Sequence, residues 1–98
     1  MVTIAHKKAT TCKRNQYGYT VIRYYDTDIV EFNGTEVFLH TGGFNTASTV
    51  RRMNEASKEF ALGFTVKRVD GALYVTYGIG KVSGAKFFDG DNVYLLRV

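Results

Sequence analysis

Gly42 and Gly43 stand between a hydrophobic run, Val37 to His40, and a hydroxyl-rich stretch, Thr46 to Thr49, that leads to the adjacent pair Arg51 and Arg52. A glycine pair just before a helix start is where backbone N–H groups can converge on an anion. The helix start adds roughly half a positive charge, and the hydroxyls of Thr46 and Ser48 add donors. Arg51 and Arg52 could add bidentate contacts to a phosphate. The Walker and dinucleotide glycine patterns are both absent, so the expected anion is a nucleic-acid backbone. A tight strand-to-helix turn needs the same two glycines for conformational reasons alone. The sequence leaves both readings open.

Further cations gather at the start of the chain. Lys7, Lys8, Lys13 and Arg14 lie within residues 1–15, which contain no Asp or Glu, so the whole net charge of +4 resides there. Such an arm is either solvated and mobile or an electrostatic contact for nucleic acid or an acidic protein surface. Tyr17, Tyr19, Tyr24, Tyr25, Tyr74 and Tyr77 fall near Arg23, Lys67 and Arg68, a mixture that can stack bases but equally packs a core.

Other chemistry has little to build on. His40 could pair with Asp26, Asp28 or Asp70, yet no Ser-His-Asp set or metal-ligand spacing exists. The Asp89-Gly90-Asp91-Asn92 loop lacks the length and closing glutamate of a calcium loop and reads as a turn. Cys12 is the only cysteine, which excludes an intramolecular disulfide and fits a reducing compartment. We expect no catalytic residues, no metal site and no cofactor.

The elements that must position these residues follow from periodicity. Tyr19 to Tyr25, Ile29 to Phe32 and Thr35 to His40 read as a strand meander, with an Asn33-Gly34 type I′ turn. A helix starting at Asn45 or Thr46 presents Val50, Met53, Ser57, Phe60 and Ala61 as its inner stripe and sends Arg51, Arg52, Glu55, Lys58 and Glu59 outward. Arg51 and Glu55 then form an i,i+4 pair, and Gly63 closes the helix. Phe64 to Val69 and Leu73 to Tyr77 form a hairpin across Asp70-Gly71. Gly78, Gly80 and Gly84 suggest a mobile loop, and Lys86 to Phe88 with Val93 to Arg97 a last hairpin. A short strand within residues 1–17 is an open question.

The 98 residues, 45% hydrophobic with no proline, suit one domain. The expectation is a basic N-terminal arm at 1–15 and a single domain at 16–98. Its fold class is α+β: an antiparallel, strongly curved sheet with one amphipathic helix in the order β-β-β-α-β-β-β-β. No apolar run is long enough to span a bilayer, and no signal-peptide pattern opens the chain.

Residues 37–75 resemble a motif in small proteins encoded by tailed bacteriophages. The resemblance rests on Gly42-Gly43-Phe44 after a strand, Thr46 to Thr49, Arg52-Met53-Asn54, Gly63-Phe64 and Leu73-Tyr74-Val75. It implies a phage origin and residence in a bacterial cytoplasm, and it brings no catalytic residues. The reading is a non-enzymatic accessory protein that binds nucleic-acid backbone. One alternative is a module that binds and modulates or inhibits a bacterial host protein. A second is a virion or assembly component. No membrane partner is expected.

Overall fold

The structure is a computed structural model and describes residues 7–43, 46–79, 82–88 and 92–96. Eight strands and one helix run in the order β1 (Thr10–Arg14), β2 (Thr20–Tyr24), β3 (Thr27–Phe32), β4 (Glu36–His40), α1 (Ala47–Glu59), β5 (Phe64–Val69), β6 (Ala72–Ile79), β7 (Val82–Phe87) and β8 (Asn92–Leu96). The fold is α+β, as the hairpin signals imply. Four strands precede the helix rather than three, because Thr10–Arg14 of the basic segment pairs antiparallel with β2.

Two antiparallel sheets stand where one was expected: a five-stranded sheet ordered β1-β2-β3-β4-β8 and a three-stranded sheet ordered β5-β6-β7. Among the described residues β8 forms no ladder with β7. It crosses to β4, with Phe38 opposite Tyr94 and Leu39 opposite Val93. The reason lies in the alternation of β8, which buries Val93 and Leu95 beside Val37 and Leu39. Of the expected turn at 89–92, Asn92 instead opens β8 opposite His40, and the rest lies outside the described residues, as do Arg97, Gly80, Phe44 and Asn45. Gly78 and Gly84 belong to strands rather than to a loop. Gly84 pairs with Tyr77, and a Cβ there would meet the Tyr77 hydroxyl oxygen at 2.7 Å. The missing side chain makes room for that ring.

Turn chemistry separates into two outcomes. Asp70 and Gly71 both have positive φ, 51° and 79°, as a type I′ hairpin requires. Gly34 does not share that region, so the Asn33 turn has another origin. The Asn33 side-chain oxygen accepts from the backbone N–H groups of Thr35 and Glu36 at 2.9 and 3.0 Å. This local side-chain cap replaces the conformational demand for glycine.

Helix α1 is capped by Thr46, whose hydroxyl accepts from Thr49 N–H. At the other end Ala61, with φ 52°, takes the left-handed position foreseen for Gly63. Leu62 N–H then reaches Ser57 O at 2.9 Å, a Schellman closure. The buried stripe is Thr49, Met53, Ala56 and Ser57, while Ala61 is exposed. That rotation follows from how α1 meets β5. The Asn54 amide receives Val66 N–H at 2.7 Å and donates to Val66 O at 3.0 Å. Ser57 Oγ likewise receives Phe64 N–H at 3.1 Å and donates to Phe64 O at 2.7 Å. Two helix side chains therefore act as a strand partner for the outer edge of β5. They satisfy backbone groups that burial would otherwise leave costly.

One core joins these parts. Ile22, Val30 and Leu39 come from the larger sheet, Val66 and Val75 from the smaller, and Met53 from the helix. The opposite face of the five-stranded sheet carries exposed side chains, among them Lys13, Arg23 and Phe38.

Candidate functional site

The residues expected to gather an anion do not act as one group. Gly42 and Gly43 have positive φ, 63° and 85°, which fits the conformational reading of the turn. Gly42 is also sterically held, since a Cβ would meet Thr27 at 2.8 Å. Thr46, beyond its capping role, lies 3.2 Å from the Ser48 hydroxyl and 3.1 Å from that of Thr49. The hydroxyls thus serve the helix start and one another.

Arg52 does not project outward. Its side chain is 14% exposed. It donates through Nε to Thr10 Oγ1 at 3.1 Å and through Nη1 to Glu55 at 2.8 Å. Its guanidinium also lies 5.3 Å from the centre of the Tyr24 ring, within cation–π range. The i,i+3 pair Arg52–Glu55 replaces the expected Arg51–Glu55 pair. Lys7 binds the other Glu55 oxygen at 3.0 Å. Burial alone would raise the Glu55 pKa, but Lys7 and Arg52 outweigh it and hold the carboxyl below its ordinary value. Two expected phosphate ligands are thus joined to a carboxylate that ties β1 to α1. Arg51, Lys8, Lys13 and Arg14 are exposed. Lys13 opens onto the outer face of the large sheet, beside Arg23 and Glu31, whereas Arg52 lies with Thr10 on the inner face.

The outer face carries a different constellation, which pairwise reading of the sequence misses. Glu36 of β4 accepts a hydrogen bond from the Tyr19 hydroxyl at one oxygen and from the Tyr94 hydroxyl, at 2.8 Å, at the other. Phe38 lies between these tyrosines, its ring centre 6.1 Å from that of Tyr19 and 4.8 Å from that of Tyr94. The two hydroxyl bonds hold the Glu36 carboxyl below its ordinary pKa. The same bonds, with a smaller contribution from burial, raise both phenols. Two of the three rings in this row are thereby tied to Glu36, and Phe38 packs against both, yet Phe38 and Tyr94 remain 38% and 41% exposed.

Beside this row runs a groove of about 720 Å³. Phe38, Leu39, Val93 and Tyr94 give it apolar surface, while Asp26, Asp28 and Glu31 make it acidic. Of these carboxylates Asp28 is paired, with Arg23 Nε at 2.7 Å. His40 lines the same groove, with Nδ1 2.6 Å from Asn92 Oδ1. Gly42 is also among its lining residues. Among the described residues no group of three or more His, Cys, Asp or Glu could hold a metal ion. No described helix is long and apolar enough to cross a membrane. Cys12 is half-buried, and burial together with nearby Glu59 raises its thiol pKa, which disfavours the reactive thiolate.

The family model described as Kyanoviridae Gp96 protein matches residues 3–94, well beyond the span of the phage-like motif. No curated protein and no solved structure matches the chain.

Proposed function

This chain belongs to the Kyanoviridae Gp96 protein family, a phage family, and we propose that it is a non-enzymatic accessory protein that binds a protein of the bacterial host. The binding surface is the outer face of the five-stranded sheet, and the place of action is the host cytoplasm. The observation that carries this reading is the ring row Tyr19–Phe38–Tyr94, in which Phe38 and Tyr94 are exposed and both tyrosines are tied to Glu36. Aromatic anchors dominate protein interfaces. Rings already held in place lose less freedom on binding, which leaves more of the contact energy as affinity.

The electrostatics of this face favour a protein over nucleic acid. Asp26 and Glu31 beside the rings would repel a phosphate backbone, while Arg23 neutralises Asp28 and Lys13 lies farther across the same face. The nucleic-acid reading retains one support, the exposed cations Lys8, Lys13, Arg14 and Arg51. The test is capture of partners from host lysate by the tagged full chain, with nuclease treatment, using wild type and Phe38→Ser side by side. A stoichiometric host protein retained by wild type after nuclease and lost by Phe38→Ser supports the proposal. Capture that vanishes with nuclease, and is equal for both chains, favours the nucleic-acid reading.

A further inference from the structure

Charge on the outer face of the large sheet has an order that the strand registers set. Glu31 of β3 lies directly opposite Phe38 of β4. On its other side Glu31 lies opposite Val21, and Val21 lies opposite Lys13. Residues paired across antiparallel strands share a face, and each step between strands is about 4.8 Å. One row therefore runs cation, aliphatic, carboxylate, ring across four strands. The groove of about 720 Å³ includes Glu31 and Phe38 from this row, but neither Val21 nor Lys13. Of its carboxylates, Asp28 is bound by Arg23, which also lies within electrostatic reach of Asp26. Among the described residues Glu31 has no ion pair, and the Phe38 ring opposite it is exposed.

We infer that this groove takes an arginine side chain of the partner protein, laid over the Phe38 ring with its guanidinium toward Glu31. The inference rests on the reading that this face binds a host protein, and it names the chemistry of the segment bound. A guanidinium meets both surfaces at once. Its flat, weakly hydrated face stacks on a ring, and its N–H edge forks to a carboxylate. A lysine ammonium has no flat face to lay on the ring. An acidic side chain would meet Asp26 and Glu31 as like charges. A purely apolar side chain would shield the Glu31 carboxylate from water without pairing it, which is costly. Lys13, two strands from Glu31, confines the preference to the groove, since a second arginine placed there would meet a like charge.

The test is a titration of the full chain with two synthetic peptides, followed by amide chemical shifts in NMR. The peptides are acetyl-Leu-Arg-Leu-amide and the same peptide with citrulline, which keeps the shape of arginine and removes its charge. The arginine peptide should shift the Glu31 and Phe38 amides saturably, with a Kd below about 10 mM. The citrulline peptide should bind at least about threefold more weakly, and added salt should narrow that difference. Glu31→Gln should bring the two peptides to within about twofold of each other. Asp26→Asn should narrow the gap less, because Arg23 already offsets its charge. Phe38→Ser should weaken both peptides.

Absence of saturable shifts at these amides overturns the inference. So does equal binding of the two peptides to wild type, which would make the groove a site for apolar segments. A preference for arginine that Glu31→Gln leaves intact overturns it as well. Failure here is distinct from failure of the binding face. A host protein lost by Phe38→Ser but retained by Glu31→Gln at any salt concentration would leave that face standing and refute the arginine.

Discussion

Replacing Asn54 should destabilise this protein more than its half-buried position suggests. The Asn54 amide satisfies both backbone groups of Val66, at 2.7 and 3.0 Å, and Val66 is 2% exposed. In Asn54→Ala a donor and an acceptor on a buried strand edge lose their partners together. Each unsatisfied group costs about 1–3 kcal/mol. Because the position is half-buried, water can enter and recover part of this, so the expected loss is about 2–4 kcal/mol. Against a typical total of about 5–15 kcal/mol, that is a large fraction, and it should lower Tm by roughly 10–25 °C. Asn54→Leu separates hydrogen bonding from packing, since it restores side-chain volume but no polar partner. It should cost nearly as much as alanine. Urea unfolding followed by circular dichroism gives the free energies, and hydrogen exchange at the Val66 amide gives the local effect. If Asn54→Leu lies within about 0.5 kcal/mol of wild type, the edge-cap argument is wrong, because surface substitutions away from such features fall in that range.

Three other outcomes follow. Gly43→Ala should cost about 1–2 kcal/mol for its positive φ alone. Gly42→Ala should cost distinctly more, because its Cβ also meets Thr27 at 2.8 Å; thermal melts rank the two. Lys7 and Arg52 hold the Glu55 pKa below its ordinary value of 4.5 despite burial. The stability they confer is therefore full above that value and is lost as pH falls through the lower folded-state value. Glu55→Gln should flatten this acid limb in urea titrations at successive pH values. Tyr19 and Tyr94 have pKa values raised above 10.0 by their bonds to Glu36, so a tyrosinate absorbance titration of Glu36→Gln should begin at lower pH than that of wild type.

What could be read from the sequence depended on how local the physics is. The Asp70-Gly71 turn was legible because a two-residue demand for positive φ is met by those residues themselves. The α+β class, and the helix start at Thr46, were legible from periodicity and capping chemistry. The pairing of β8 with β4 was not, since it joins Phe38 to Tyr94 across the helix and a whole second sheet. Adjacent strands do pair more often than distant ones, and the expected last hairpin followed that tendency. Asn54 and Ser57 resembled ordinary helix residues because their partners, Val66 and Phe64, become neighbours only when α1 docks. The same docking turns Arg52 inward to Thr10 and Glu55, although the helical pattern alone places it outside. The candidate site moved for a related reason. Its anchor, Glu36, binds tyrosines 17 and 58 positions away, and neither separation leaves a periodic signal. The exposed cations and glycines were visible in sequence, but the inward turn of Arg52 and its bond to Glu55 were not.

In the proposed function the ring face, rather than the basic residues, meets the partner. The most direct measurement compares Phe38→Ser with Arg51→Ala, both at exposed positions, for retention of a nuclease-resistant host protein and for salt-dependent binding of nucleic acid. If the rings carry binding, Phe38→Ser loses the host protein while Arg51→Ala keeps it, and neither substitution changes nucleic-acid binding. Loss of nucleic-acid affinity in Arg51→Ala, with no effect of Phe38→Ser on any partner, would contradict this reading.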